Sequence, residues 1–351
     1  FWSFTHTVTY AGDPWTETLG GYGIRFRLGE TGYQAASAAL DAGAVTGATI
    51  ALFQRNADAV DATTDGKALK GGRASGAVRL EGAGRPAITV YHRDFWRMAP
   101  KKLEADAAAG TVAFSYWPAE AGAMSFLPRE DGWIPSSSSA EAIAVGLSRT
   151  HEFIVDRGTG TALAACEPVF HEPVVAIVPP RYLAATKTVL HLAPYDPEAN
   201  PVLERVISDT IDFFESQREL FGWYGEWEYG GIPNIWRKDE YRWADFGRYA
   251  WILNEEDIVD APWACFLRSG DRKYLKFAVP NTRHLMEVGT INWNPTWPQF
   301  VGLNRRHHEC IWLSGGDYGH SMLDPLVNYY HATGYRPAWE AAERMATRNE
   351  I

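Results

Sequence analysis

The chain has 351 residues and an apolar fraction of 46%, which allows a sizeable core and makes two domains the default expectation. Its net charge of −10 argues against nucleic acid as the main partner but leaves room for an anionic ligand in a locally basic cleft. Three distant cysteines without CxxC spacing exclude a disulfide framework, and no apolar run reaches transmembrane length, so no membrane partner is expected.

The first half of the chain has the pattern of an antiparallel β-protein. Alternation of apolar and polar residues, interrupted by Gly and Asp turns, predicts strands at 5–10, 22–28, 49–53, 77–80, 87–91, 111–117 and 150–155. Many short strands with turns between them favour a β-sandwich. The Ala-rich stretch 35–44 fits either a helix or a disordered insert. Residues 94–102 are expected to form a short amphipathic or irregular crossing.

The stretch 193–201 contains three prolines, which neither a helix nor a central strand tolerates. We therefore predict a β-sandwich-like domain over 1–192, a linker over 193–201 and a helical domain over 202–351. The chain opens with Phe1 and no leader and closes just after a helical pattern, so we expect both ends to be cut from something longer.

Helical periodicity after the linker predicts five helices, at 202–220, 249–268, 273–288, 322–333 and 338–347. Two joints between them match, because Ser269-Gly270 and Thr333-Gly334 each follow a helix end and precede an Arg and a new helix. Matching joints imply stacked antiparallel hairpins, which close into an α/α toroid or run on as a solenoid. We expect long loops to form a cleft at one end and these short joints to lie at the opposite end.

The segment 305–320 concentrates two arginines, three histidines, two acids and three glycines. This mixture suits a pocket wall, since glycines allow close backbone approach and imidazoles change protonation near neutral pH. The alternative is a loop whose histidines cap helix ends. The aromatic fraction of 13%, with 15 Trp and 16 Tyr, favours a carbohydrate ligand, because flat sugar faces stack on rings.

Several segments resemble the exo-acting rhamnogalacturonan lyases, which carry β-sandwich material ahead of an α/α toroid. The likeness spans residues from about 90 to 347 and rests on the segments 92–96, 116–118, 150–152, 222–227, 254–257, 269–275, 306–309 and 315–320. Ser269 and Tyr335 depart from the pattern, where Thr and Asp are expected. The toroid is incomplete, because a six-hairpin ring needs about twelve helices of ~11–12 residues.

The resemblance implies a secreted or periplasmic lyase that cleaves a uronic-acid polysaccharide, rhamnogalacturonan-like or ulvan-like, by β-elimination. Such chemistry needs a base, an acid and groups that neutralise a carboxylate. No segment has the spacing of a dedicated calcium or other metal site, although calcium stays possible. The identity of the polymer, endo or exo action and the oligomeric state stay open.

The candidate catalytic residues are His308, His320 and Tyr224. The alternatives are that the histidines orient Asp317 or Glu309 and that Tyr224 stacks on a sugar. The candidate substrate-binding residues are Asn254, Glu256, Arg305, Arg306, His284, Trp227, Trp251 and Trp312.

Two other function classes remain open at this point. A toroidal glycoside hydrolase would use two carboxylates about 5–9.5 Å apart. Its candidate acids are Glu226, Glu228, Glu256, Asp257 and Asp317. A non-catalytic carbohydrate-binding scaffold would bind sugar without turnover.

Overall fold

A computed structural model describes residues 2–14, 16–126, 144–158, 168, 171–172, 175–187, 192–244, 258–305 and 316–349. The chain forms an N-terminal pair of antiparallel sheets followed by a C-terminal helical region. This confirms the predicted order of a β-sandwich-like part and a helical part. Among the described residues, every helix is too short or too polar to span a lipid bilayer.

Two six-stranded antiparallel sheets pack against each other. The first contains, in spatial order, β1 (Trp2–Thr9), β14 (Ser148–Arg157), β10 (Ile88–His92), β9 (Ala74–Glu81), β4 (Ala35–Leu40) and β5 (Gly43–Gly47). The second contains β3 (Tyr22–Arg27), β12 (Thr111–Trp117), β11 (Lys101–Asp106), β6 (Thr49–Asn56), β7 (Ala59–Thr64) and β8 (Lys67–Gly71). Short two-residue pairs join β2 (Thr18–Leu19) to β13 (Met124–Ser125), β15 (Trp236–Arg237) to β16 (Arg242–Trp243), and β17 (Asn304–Arg305) to β18 (Gly316–Asp317).

The two sheets differ in how much of each strand is buried. In β12 the buried positions alternate, so Val112, Phe114 and Tyr116 face the core between the sheets. In β14 six consecutive residues from Ser148 to Phe153 are buried, which means that both faces of that strand are covered. The first sheet therefore carries buried polar side chains on the face that does not meet the second sheet.

The Ala-rich stretch is a strand. Residues Ala35–Leu40 form β4, which pairs with β9 on one side and with β5 on the other. Ala36 and Ala38 are fully buried in the core between the sheets. Alanine gives no strong local preference for a strand, so the pairing partners decide the conformation.

The helical region consists of α1 (Pro180–Thr186), α2 (Pro201–Phe221), α3 (Asp260–Ser269), α4 (Arg272–His284), α5 (Asp324–Thr333) and α6 (Arg336–Asn349). A π-helical turn, Leu285–Gly289, continues α4. Of the predicted helix 249–268, residues 249–257 lie outside the described residues, 258–259 form a turn, and α3 begins at Asp260. The domain limits 1–192, 193–201 and 202–351 stay a prediction.

The two matching joints have the expected conformation. Gly270 and Gly334 have φ of +71° and +72°, the left-handed conformation that ends a helix. Asp271 then caps α4 by accepting a hydrogen bond from the Lys273 amide. The antiparallel hairpins α3–α4 and α5–α6 follow from these local signals.

Candidate active site

A cavity of about 750 Å³ lies where the first sheet meets the helices, and its volume is typical of a ligand site. Its lining contains nine Arg or Lys residues and five Asp or Glu residues, which leaves four positive charges in a chain of net charge −10. The basic residues are Arg93, Arg97, Arg149, Arg218, Arg272, Lys273, Lys276, Arg283 and Arg336. The cavity is therefore a locally basic site that favours an anionic ligand.

A row of alternating charges connects the sheet to α4, and its three arginines line the cavity. Glu152 on β14 lies 2.8 Å from Arg93 Nη1 and 3.3 Å from Arg283 Nη1. Arg283 also lies 3.6 Å from Glu287, and Glu287 lies 3.4 Å from Arg149 on β14. We call these five residues the charge ladder. Burial raises the pKa of Glu152, but Arg283 and Arg93 outweigh it and hold that pKa below its ordinary value.

At the ladder's β10 end, Asp94 and His171 line the cavity beside Arg97. Tyr91 Oη lies 2.7 Å from His171 Nε2. His171 Nδ1 lies 3.4 Å from Arg97 Nη1 and 3.5 Å from Asp94 Oδ1. Although burial opposes it, hydrogen bonding from His171 and the charges of Arg97 and Arg93 keep the pKa of Asp94 well below its ordinary value. The site thus holds an ionised aspartate against an imidazole that also touches a phenol.

The loop after α2 brings two tyrosines to the cavity. The Tyr224 hydroxyl donates to Glu219 Oε1 at 2.6 Å, and Arg73, just before β9, donates to Glu219 Oε2 at 2.8 Å. The Tyr224 and Tyr229 rings lie 5.9 Å apart. Burial, followed by the hydrogen bond to Glu219, raises the pKa of Tyr224 well above its ordinary value. The phenol is therefore protonated at neutral pH.

Between these tyrosines, Glu226 anchors the loop to the β-sandwich. Its carboxylate lies 2.5 Å from Lys101 Nζ, accepts a hydrogen bond of 2.9 Å from Tyr22 and lies 3.4 Å from His151. The side chains of Glu226, Lys101 and His151 are fully buried. Burial raises the pKa of Glu226, but Lys101 and His151 lower it to about 2. This carboxylate is sealed and ion-paired, so it does not supply an acid to the cavity.

Gly230 ends the same loop against α4, and its substitution is expected to disturb the cavity wall. A Cβ at Gly230 (φ +98°) would lie 2.1 Å from Pro280 O, whereas one at Gly222 (φ +64°) would meet nothing within 4 Å. We expect Gly222→Ala to cost about 1–2 kcal/mol for its backbone conformation. Gly230→Ala should cost about 1–3 kcal/mol more, because the clash is with backbone. Denaturant unfolding of both variants checks this, and equal losses would contradict it.

The described sequence-predicted site residues fall in different places. Tyr224 lines the cavity. His320 lies outside the cavity lining, with Nδ1 3.2 Å from Asp317. Arg305 is buried and donates to the Val145 carbonyl.

His284 and Trp227 are also buried, and they meet each other. His284 Nε2 lies 2.8 Å from the Trp227 carbonyl, and the Trp227 ring packs edge-on against Phe126. His308, Asn254, Glu256, Arg306, Trp251 and Trp312 lie outside the described residues. The roles assigned to all these residues stay predictions.

Buried His284 makes stability depend on pH. Burial, followed by the charge of Arg149, lowers the pKa of His284 from 6.5 to about 3. Between these two pH values His284 is protonated in the unfolded chain and neutral in the folded chain. The free energy of unfolding therefore falls as the pH falls from 6.5 towards 3. His284→Gln keeps a donor for Trp227 and should flatten that decline, measured by thermal unfolding across this range. The exposed His331→Gln should leave the slope unchanged, and equal slopes in all three proteins would contradict the prediction.

The cavity contains residues that sequence reasoning did not assign to a site. Arg93, Arg97 and Arg283 belong to this set, as does His171. Arg93 lies in the segment 92–96, which resembles the lyase family, and this resemblance could have indicated a site at Arg93. The two short joints between helices also lie at this cavity, because residues 333–337 and the residues after Asp271 line it. The expectation that short joints lie away from the cleft is wrong for this cavity, since each joint starts a helix whose first residues include a cavity arginine.

The cavity thus lies between the β-sandwich and the helical hairpins, and the first residues of α4 and α6 supply part of its positive charge. Residues 173–315 match the family model described as the PcRGLX-like protein C-terminal alpha/alpha toroid domain. This segment is therefore similar to that toroid domain. The match confirms the resemblance to the exo-acting rhamnogalacturonan lyase-like family and the α/α toroid class of the helical region. No curated protein matches the chain.

The toroid segment supplies a large share of the cavity lining, including Arg218 and Arg283. The β-sandwich supplies Arg93 and Arg97, and the hairpin α5–α6, beyond the matched segment, supplies Arg336. Within the described ranges, no group of three His, Cys, Asp or Glu residues could hold a metal ion.

Proposed function

We propose that this protein is a polysaccharide lyase that cleaves a uronic-acid-containing polysaccharide by β-elimination. The observation that carries the proposal is the basic, tyrosine-lined cavity between the β-sandwich and the toroid segment of an acidic chain. A uronate polymer is an anion with flat sugar faces, so both its charge and its shape suit this lining. The family match adds support, because the matched toroid belongs to lyase-like proteins.

Carboxylate binding is assigned to the cavity arginines. The hydrogen on the carbon next to the substrate carboxylate is weakly acidic until the negative charge is neutralised. Arg97 and Arg93 at the sheet side and Arg283 on α4 present guanidinium groups to the cavity. A guanidinium can hold a carboxylate through two parallel hydrogen bonds, and such donors stabilise the charge that develops as the hydrogen leaves.

Proton transfer is assigned to the phenol and imidazole groups. His171, which lines the cavity and contacts the Tyr91 hydroxyl through Nε2, accepts the proton from the carbon next to the carboxylate. The electron pair left behind forms the double bond and expels the glycosidic oxygen. Tyr224, which lines the cavity, gives its hydroxyl proton to that oxygen, which releases the sugar as an alcohol. Each positioned group of this kind contributes about 10²–10⁴-fold to the rate.

A substrate screen tests the proposal. The purified protein is incubated with rhamnogalacturonan, ulvan and other uronate polymers, with a neutral polysaccharide as the control. Elimination creates an unsaturated uronate, so we expect the ultraviolet absorbance to rise. The summed mass of the products should equal the mass of the substrate, because elimination adds no water, whereas hydrolysis adds one water for each bond cleaved. Products that have gained water would assign a hydrolase instead. Binding without turnover of any polymer would assign a carbohydrate-binding scaffold.

We also propose that the protein acts outside the cytoplasm, because its polymeric substrate is too large to cross a membrane unaided. Fractionation of the producing cells tests this placement. Recovery of the protein in the cytoplasmic fraction alone would overturn it.

A further inference from the structure

Trp96 is a buried ring that contacts cations. The residue is 8% exposed, and in the part of the chain that the structure describes it belongs to none of the three apolar core clusters. The guanidinium carbon of Arg73 lies 3.9 Å from the centroid of the Trp96 ring, and that of Arg97 lies 4.5 Å from it. The face of an indole ring carries partial negative charge and attracts both groups. Trp96 therefore orders two arginines instead of filling a core.

The turn that follows β10 places this ring behind the cavity wall. Residues 93–98 form the turn, and the Met98 amide donates to the Asp94 carbonyl at 3.0 Å. The members of the turn that line the cavity are Arg93, Asp94, Arg97 and Met98. Trp96 is not among the cavity-lining residues, so it acts on a ligand only through the side chains that its ring contacts.

The contact with Arg97 bears on carboxylate binding. Arg97 Nη1 lies 3.2 Å from Asp94 Oδ1 and 3.4 Å from His171 Nδ1, and its two hydrogens can serve both partners. The described hydrogen bonds of Arg97 both use Nη1, so Nε and Nη2 are left to hold a ligand carboxylate through two parallel hydrogen bonds. Stacking on Trp96 fixes the plane in which that pair of donors lies.

The contact with Arg73 leads to Tyr224. Arg73 donates to Glu219 Oε2 at 2.8 Å, and Glu219 Oε1 accepts from the Tyr224 hydroxyl at 2.6 Å. The rings of Trp96 and Tyr224 also meet directly, with centroids 4.9 Å apart and planes at 61°. The same indole therefore supports a carboxylate-binding arginine and the phenol assigned to proton donation.

We propose that Trp96 is a positioning residue for both halves of the reaction. Its ring holds Arg97 for the substrate carboxylate and, together with Arg73 and Glu219, holds Tyr224 for the departing oxygen. This role rests on the proposed lyase function, whereas the stacking of the two guanidinium groups does not. Loss of the Arg97 contact should raise KM, because that arginine binds the substrate, and loss of the Tyr224 contact should lower kcat.

Three variants separate these contacts. On a polymer that the parent cleaves, we expect Trp96→Leu to raise KM about tenfold and to lower kcat about tenfold, the size of a buried cation–π contact. Trp96→Phe keeps an aromatic face, so it should recover at least about threefold of each loss. Arg73→Gln leaves Arg97 on the ring, so it should lower kcat about tenfold and change KM by less than about threefold.

Two controls lie outside the cavity lining. Trp117→Leu removes a partly buried indole, and Arg55→Gln breaks the exposed pair with Asp61, so both should keep the parental kcat and KM. Thermal unfolding verifies the fold of every variant. Parental kinetics in folded Trp96→Leu would overturn the positioning role. Trp96→Phe as impaired as Trp96→Leu would also overturn it, because packing and not the ring face would then be responsible. Parental kcat in Arg73→Gln would overturn the Tyr224 half.

Proton NMR tests the stacking without any turnover. Protons above an indole face resonate upfield, so the side-chain Nε–H signals of Arg73 and Arg97 should lie upfield in the parent and return to ordinary positions in Trp96→Leu. Arg73→Lys and Arg97→Lys assign the signals. Ordinary positions already in the parent would overturn the proposal, and this result stands even if Trp96→Leu does not fold.

A binding measurement separates failure of this proposal from failure of the lyase function. If the parent cleaves no uronate polymer, the lyase function fails, and calorimetry with a galacturonate oligosaccharide decides the Arg97 half. We expect Trp96→Leu to bind that oligosaccharide about tenfold more weakly than the parent does. Equal affinity in the two proteins, or no binding by the parent, would overturn the positioning role of Trp96.

Discussion

Lys101→Met is expected to lower the free energy of unfolding by about 3–5 kcal/mol. The substitution removes the cation 2.5 Å from Glu226, which is the nearest positive charge to this fully buried carboxylate, and leaves Tyr22 and His151 beside it. The long methionine side chain fills the volume, so the loss reports charge and not a cavity. Denaturant unfolding at neutral pH measures the effect.

The neighbouring lysine provides the control. Lys102 pairs with Glu120 at 2.8 Å, but both side chains are partly exposed, so Lys102→Met should cost at most about 1 kcal/mol. The double variant Lys101→Met/Glu226→Gln removes the uncompensated charge and should recover at least half of the loss. A double variant no more stable than Lys101→Met would show that packing around Lys101 causes the loss and not the unpaired carboxylate.

Tyr224→Phe is expected to lower kcat on a cleaved uronate polymer by about 10²–10⁴-fold. The variant keeps the ring and removes the hydroxyl, which is the group assigned to proton donation in the cavity. Stability should change by only about 1 kcal/mol, since one hydrogen bond to Glu219 is lost. Steady-state kinetics followed by the absorbance of the unsaturated product measures the effect.

A matched tyrosine outside the cavity completes that experiment. Tyr182 on α1 is 62% exposed and does not line the cavity, so Tyr182→Phe should turn over at the parent rate. Parental turnover by Tyr224→Phe as well would remove Tyr224 from the proton-transfer chemistry. The proton given to the departing oxygen would then have to come from another group in the cavity.

Local signals in the sequence predicted the elements that depend on neighbouring residues. The alternation over 111–117 gave a strand with Val112 and Phe114 in the core, because side chains of a strand alternate between its faces. Gly270 and Gly334 gave two hairpin joints, because glycine adopts the left-handed conformation cheaply. The alanines of β4 carried no such signal, and their conformation is decided by the strands on either side.

The cavity depends on residues far apart in the chain, and periodicity does not report such pairs. Arg93 and Arg283 meet on Glu152 although they come from different parts of the fold. Tyr224 was predicted because a Gly-Trp-Tyr-Gly loop indicates a site without reference to its partners. His171 was not, since a single histidine beside prolines gives no hint that β10 will place Tyr91 against it.

The charge ladder also makes the β-sandwich and the helical region depend on each other, because each supplies charges that pair with the other. Glu152 belongs to the β-sandwich and Arg283 to the helical region, and both side chains are buried in the complete fold. Separate expression of the two halves would bring both groups back into contact with water, and neither half would retain the complete set of cavity arginines. Mixing the purified halves should therefore restore anion binding only if they reassociate, and that reassociation should weaken as salt is added.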